Sequence, residues 1–198
     1  MACETPSTAR LEAFSDGVIA FIITVMVLEI KVPQLDGLAG LRYLTPALAI
    51  YLLSFAFTGV YWLNHQHLVR RTEQAGHAMQ VANLSFLFCL SLLPLSTAYV
   101  VNKALSGFAV AVYAASLFVV ASSFMCLRMT VHRHLYRRNA FDACDRKGLR
   151  NHLVSLGLYA GSVAAGLFYP KLVLVFLAIL TLFWAMPKLS FQQAKDCG

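Results

Sequence analysis

Charge is scarce in this chain. Asp, Glu, Lys and Arg make up only 13% of 198 residues, against 59% hydrophobic. A water-soluble domain carries about a quarter of its residues as charges, so this composition reads as an all-α integral membrane protein. The length suits one transmembrane domain, 1–198, with no room for a second sizeable soluble one. The start does not read as a secretory signal: Glu12 and Asp16 interrupt it, the apolar run is too long, and no small-residue cleavage site follows. The five cysteines, Cys3, Cys89, Cys126, Cys144 and Cys197, are scattered and form no C-x-x-C pair. That argues against a disulfide framework and against a zinc site. Cys89 and Cys126 are expected to be buried in apolar packing.

Catalytic signatures are missing as well. There is no G-x-S-x-G, no P-loop, no H-E-x-x-H and no intramembrane pair of carboxylates. No enzymatic activity, no metal and no cofactor are expected. No span carries a regular arginine ladder, which argues against a steep voltage gate. The formal net charge of +7 is not accompanied by any groove-reading or base-stacking motif, so no nucleic-acid partner is expected.

What is present is a series of apolar runs. Six spans are predicted, at about 11–32, 41–68, 79–101, 108–129, 149–168 and 172–186. Pro33 is read as the end of the first. The second is longer than a crossing needs, so it tilts or protrudes. Pro94 predicts a kink in the third. The fourth is expected to continue as a polar helix towards Arg138. The fifth holds Gly157, Gly161, Ala164, Ala165 and Gly166, small residues that let helix backbones approach closely. With the N-terminus inside, 12 of the 16 Lys and Arg fall on the inner side, among them Arg10, Arg70, Arg71 and seven between 128 and 150. That asymmetry predicts both termini in the cytoplasm.

The first run, Arg10–Pro33, carries an acid, Asp16, near its start. A charge at that depth is costly, so it must be paired, face protein, or function. On a helical wheel Gly17, Phe21, Thr24 and Leu28 share one narrow stripe, and Asp16 lies about 140° from Phe21. A ring of apolar side chains can close a pore by dewetting, and threonine hydroxyls beside it can replace part of an ion's hydration shell. From the residues alone such a stripe is ordinarily lipid or core contact.

Arg10, Phe14, Ser15 and Asp16 spell R-x-x-x-F-S-D at the head of this helix, followed by Gly17-Val18 and the run Val25–Pro33. Trp62, Asn64 and His65 form W-x-N-H in the second span. These features resemble the TMEM175 family of potassium channels, in its short bacterial type with a single F-S-D motif. The resemblance implies a homotetramer conducting potassium through a central pore lined by the first helix. It implies a constriction at Phe21, with Leu28 next on the stripe, and a filter role for Thr24. Phe21 departs from the family's usual Ile or Leu. The carbonyl-lined T-V-G-Y-G filter is absent, so any selectivity is assigned to side chains.

Arg10, Phe14, Ser15 and Asp16 are read as an orienting network rather than an ion site, because the wheel turns Asp16 off the stripe. Trp62, Asn64, His65 and Asn83 are its candidate partners. Asp16 is expected to meet His65, Asn64 or Asn83, with Arg10 close by. The six histidines fall near the inner face and are read as interfacial, with a pH-sensing role as the sharper alternative. His65 and His67 splay about 200° apart on a helix, poorly placed for one metal. The basic segment 128–150 suits anionic lipid head groups as well as topology. Glu29 and Lys31 attract cations to the outer mouth or act as interfacial anchors. The reading is a passive, weakly selective potassium channel. Its rivals are a proton-conducting or proton-coupled path using Asp16 and His65, and a non-conducting membrane scaffold.

Overall fold

A computed structural model describes residues 8–72, 75–138, 140 and 143–185. Among them the chain is all helical, with seven segments: α1 Thr8–Leu28, α2 Gly37–Val69, α3 His77–Ser91, α4 Leu93–Asn102, α5 Gly107–Arg137, α6 Ala143–Phe168 and α7 Pro170–Ala185. Four stretches are long and apolar enough to cross a membrane: α1, α2, α3 with α4, and α5. The α7 helix is apolar but only 16 residues long. At 1.5 Å per residue that is about 24 Å, short of a hydrocarbon core of about 30 Å. The α6 helix has the length, but its first turns carry Asp145, Arg146, Lys147 and Arg150.

Several boundaries differ from the sequence expectation. The first helix stops at Leu28, not Val32. Pro33 acts further upstream than a simple terminator, since the residue before a proline avoids helical geometry and Glu29 and Lys31 follow the last turn. The second helix begins at Gly37 behind Asp36 rather than at Leu41. The third span is two helices, broken at Leu92. Pro94 has no N–H, and its ring opposes the carbonyl of Leu90, so the ladder restarts with Pro94 in the first turn of α4. The fourth predicted span is α5, which runs unbroken to Arg137, and Ser106 caps it by accepting from the Ala109 N–H at 3.4 Å. The α6 helix starts at Ala143, before the expected Leu149. Met186, the end of the last predicted span, lies outside the described residues, as do Lys188 and Lys195. The turn into α5 places Ala104 (φ 50) and Leu105 (φ 57), not a glycine, in the left-handed region.

The α5 helix is the axis of the bundle. Tyr113, Leu117, Val120, Ala121, Phe124, Leu127 and Val131 along it are fully buried. It packs most extensively on α6 and α3. Lipid is as apolar as leucine, so close packing and hydrogen bonds, more than hydrophobic transfer, hold such a bundle together. Both are present. Ser54 shares hydrogen bonds with Thr97 and with Tyr113, each 2.9 Å, tying α2, α4 and α5. Deeper still, Phe57, Tyr61, Phe86 and Phe124 meet in tilted and edge-to-face contacts.

Of the small residues on α6, Gly166 is the one in close approach: a methyl there would lie 3.1 Å from the Ala111 backbone nitrogen. Gly157 and Gly161 face open space instead. The cysteine expectation is corrected too. Cys126 is exposed and Cys89 only partly buried, because both sit on outward faces of their helices.

Candidate functional site

The α1 helix has two faces. Ser15, Ile19, Ile22 and Met26 point into the bundle. On the opposite side Arg10, Phe14, Gly17, Phe21, Thr24 and Leu28 form one exposed row. Phe21 is 69% exposed and Leu28 81%. The row is apolar except for Arg10 at its start and Thr24, whose hydroxyl donates to the Phe21 carbonyl at 2.8 Å. Thr24 keeps lone pairs free on that exposed surface. Beside the row, a groove of about 600 Å³ between α1 and α2 is lined by Ala20, Ile23, Phe55, Gly59 and Leu63, and reaches Asp16 and Trp62.

The three motif residues step about 100° apart and go three ways. Phe14 turns outward, 55% exposed, onto the row with Phe21. Ser15 turns inward. Its hydroxyl accepts from Asn83 Nδ2 at 2.9 Å and donates to the Leu11 carbonyl at 2.8 Å. Asn83 Oδ1 in turn lies 2.7 Å from His65 Nε2. An amide oxygen only accepts, so Nε2 donates. The result is a directed chain from His65 through Asn83 and Ser15 to Leu11, joining α2, α3 and α1. His65 is fully buried and stacks on Phe86 at 5.9 Å. Among the described residues its Nδ1 has no hydrogen-bond partner.

Asp16 turns sideways. Its Oδ1 accepts from the indole N–H of Trp62 at 2.8 Å. The expected partners were His65, Asn64 and Asn83, and the structure assigns the acid to none of them. One helical step separates the two outcomes: Ser15, not Asp16, faces α3. Asn64 also stands apart. Its amide donates to its own helix at Val60, 2.8 Å away. Arg10 is exposed on the outer row and does not join the cluster. Glu12, which sequence reasoning passed over, pairs with Arg70 at 3.0 Å and ties the ends of α1 and α2. A second tie, Arg71 to both oxygens of Asp145 at 3.3 and 3.2 Å, joins the end of α2 to α6. The signal available for both was opposite charge at span ends, which many residue pairs share.

At the other end of α1, a cavity of about 450 Å³ is lined by Glu29, Lys31, Arg42, Tyr43 and Asn102, and reaches Thr97. Among the described residues no group of His, Cys, Asp and Glu is arranged to hold a metal ion.

Three comparisons bear on this arrangement. A family profile described as the endosomal/lysosomal potassium channel TMEM175 matches residues 10–94. A protein named potassium channel, from Chryseobacterium sp. (strain P1-3), is 34% identical over 185 residues, covering 93% of this chain and 96% of that one. The human endosomal/lysosomal proton channel TMEM175 is 34% identical over 105 residues, 47% of this chain and 21% of that protein. Among solved structures, the crystal structure of a lysosomal potassium-selective channel TMEM175 homolog from Chamaesiphon minutus superposes with a TM-score of 0.80 at 28% identity, covering 90% of this chain and 96% of that one.

Proposed function

The chain belongs to the TMEM175 family of channels, and from that premise we propose that it conducts potassium passively through a pore built by several copies of α1. The family is one of ion channels, which is not an enzyme class, and its members are multi-pass membrane proteins. The carrying observation is the row Phe14, Gly17, Phe21, Thr24 and Leu28. It is apolar, interrupted by one hydroxyl, and left unpartnered by its own bundle. Four copies facing an axis place Phe21 and Leu28 as dewetting rings and Thr24 hydroxyls between them. The groove beside α1 gives a neighbouring copy somewhere to pack.

In this reading α6 and α7 complete six spans, and both termini lie in the cytoplasm of a bacterial plasma membrane. Potassium is the only ligand the pore requires, and no cofactor takes part. Ser15, Asp16, Trp62, His65 and Asn83 hold the pore helix at a set rotation. They do not touch the ion, because each is turned off the exposed row.

The test is potassium flux into liposomes holding the purified protein, with subunit number measured by mass in detergent. Flux that vanishes in wild type under every gradient would favour the scaffold instead. The animal relatives are named proton channels, which favours a second reading: proton conduction past Asp16 and His65. Reversal potentials in opposed potassium and proton gradients separate the two.

A further inference from the structure

A second cavity, of about 70 Å³, lies at the motif end of the bundle between α2, α5, α6 and α7. Its walls include Tyr61, Asn64, Arg128, Asn151, His152 and Trp184, and no Asp or Glu. That volume has room for a small polar group or a few waters, far below a drug-sized pocket.

The unusual group is Arg128. It sits within a membrane helix, where a cation normally finds a carboxylate or a carbonyl. Its Nε is buried and, among the described residues, has no hydrogen-bond partner. Among the described residues it makes no ion pair. The neighbouring acid, Asp145, attracts it from beyond ion-pair distance, while accepting both bonds from Arg71 and lying 4.0 Å from His132. What Arg128 does have is the Phe124 ring, 5.6 Å from its guanidinium carbon. His152 stacks on the same ring at 5.6 Å, held by its Nε2 bond to the Ala121 carbonyl at 2.9 Å. The guanidinium is therefore fixed in place while its donors stay unspent.

We propose that this cavity binds a phosphate-type oxyanion, with Arg128 as its charged anchor and the Asn64 and Asn151 amides at its sides. A planar guanidinium offers parallel donors that match phosphate oxygens two at a time. Trp184, one residue from the end of α7, also lines the cavity, and an indole near a helix end suits the membrane–water boundary. The oxyanion is either free phosphate or the phosphodiester of an anionic lipid. The site shares no residue with the exposed row of α1, so it stands whether or not that row lines a pore.

The experiment is thermal melting of the detergent-purified full chain. One arm titrates inorganic phosphate against chloride at equal ionic strength. The other titrates dioctanoyl phosphatidylglycerol against dioctanoyl phosphatidylcholine. A saturable rise of several degrees is expected in one arm but not its control, and the responding arm identifies the source. Arg128→Gln is expected to weaken the apparent affinity at least tenfold, while Arg150→Gln, an exposed neighbour, leaves it unchanged. Should Arg128→Gln fail to fold, Asn151→Leu, which fills the cavity and spares the guanidinium, must weaken it at least threefold. No rise in either arm, equal rises in the controls, equal losses in the two arginine variants, or unchanged affinity in Asn151→Leu would each overturn the site.

Discussion

Two phenylalanines separate α1 from α5. Phe124 is fully buried, whereas Phe21 is 69% exposed. Yet both lie on helices apolar enough to span a membrane. Half of the apolar stretch of α5 is buried inside its own chain, against 28% for α1. The α1 helix is held along one face only, by Ser15, Ile19, Ile22 and Met26, and shows the other. Hydropathy alone does not tell a helix at the centre of a subunit from one that waits for other subunits. The difference lies in where the fixed polar contacts are. Among the described residues, the hydrogen bonds that tie α1 to the rest of the bundle gather in its first half, at Glu12, Ser15 and Asp16, and orient it without covering Phe21.

Replacing each phenylalanine by alanine is the sharpest way to break this contrast. Phe124→Ala empties a core site and is expected to cost about 3–5 kcal/mol of stability, read as an early melting transition with little folded protein. Phe21→Ala is expected to leave melting unchanged while raising potassium flux several-fold and loosening selectivity. Equal stability losses in both would place Phe21 in a packed interior and remove the gate.

Next in size is the directed chain. Asn83→Leu strands His65 Nε2 and leaves Ser15 without its donor, and buried donors left unmet cost about 1–3 kcal/mol each. Chemical or thermal unfolding in detergent reads the loss, and the ion preference of surviving channels is expected to stay the same. A changed preference would move this cluster into the conduction path. Thr24→Val keeps shape and removes the hydroxyl. It is expected to narrow the potassium-over-sodium flux ratio with no change in melting. The smallest effect belongs to Glu12→Gln. Its partner Arg70 is 66% exposed, so the pair is expected to contribute at most about 1 kcal/mol, less at high salt.

Asp16→Asn probes the motif more gently than its charge suggests. An asparagine oxygen still accepts from the Trp62 indole, so assembly is expected to suffer less than in Trp62→Phe, which leaves the carboxylate without its donor. Comparing the oligomer peaks of the two variants on a sizing column checks that order.

Much of this was legible in the chain itself. Apolar runs, Pro94 and the charged span ends are local features, and they located most helix ends to within about four residues, though α6 starts six residues before Leu149 and the third span is two helices. The wheel separated Asp16 from the Phe21 row correctly for the same reason, since 100° per residue needs no neighbour. What the wheel cannot supply is the axial offset between helices. A shift of one residue moves a side chain by 1.5 Å and 100°, enough to hand Asn83 to Ser15 instead of Asp16 and to leave Trp62 for the acid. Asn64 illustrates the same limit: it has the right composition and depth, yet it spends one amide hydrogen on its own helix and does not meet Asp16. The charge on Arg128 was equally visible, but its lack of a direct ion pair was not, because that depends on where folding puts Asp145, which meets Arg71 instead.

Sequence by itself determined that this is a helical membrane protein with a motif-bearing first helix and one stripe free of strong charge after Arg10. Tertiary packing decided which polar side chains meet, which phenylalanine is core and which is surface, and where a guanidinium is left with donors to spare. The physical reason is that periodicity is written along one helix, whereas a hydrogen bond between helices depends on how two of them slide and turn against each other.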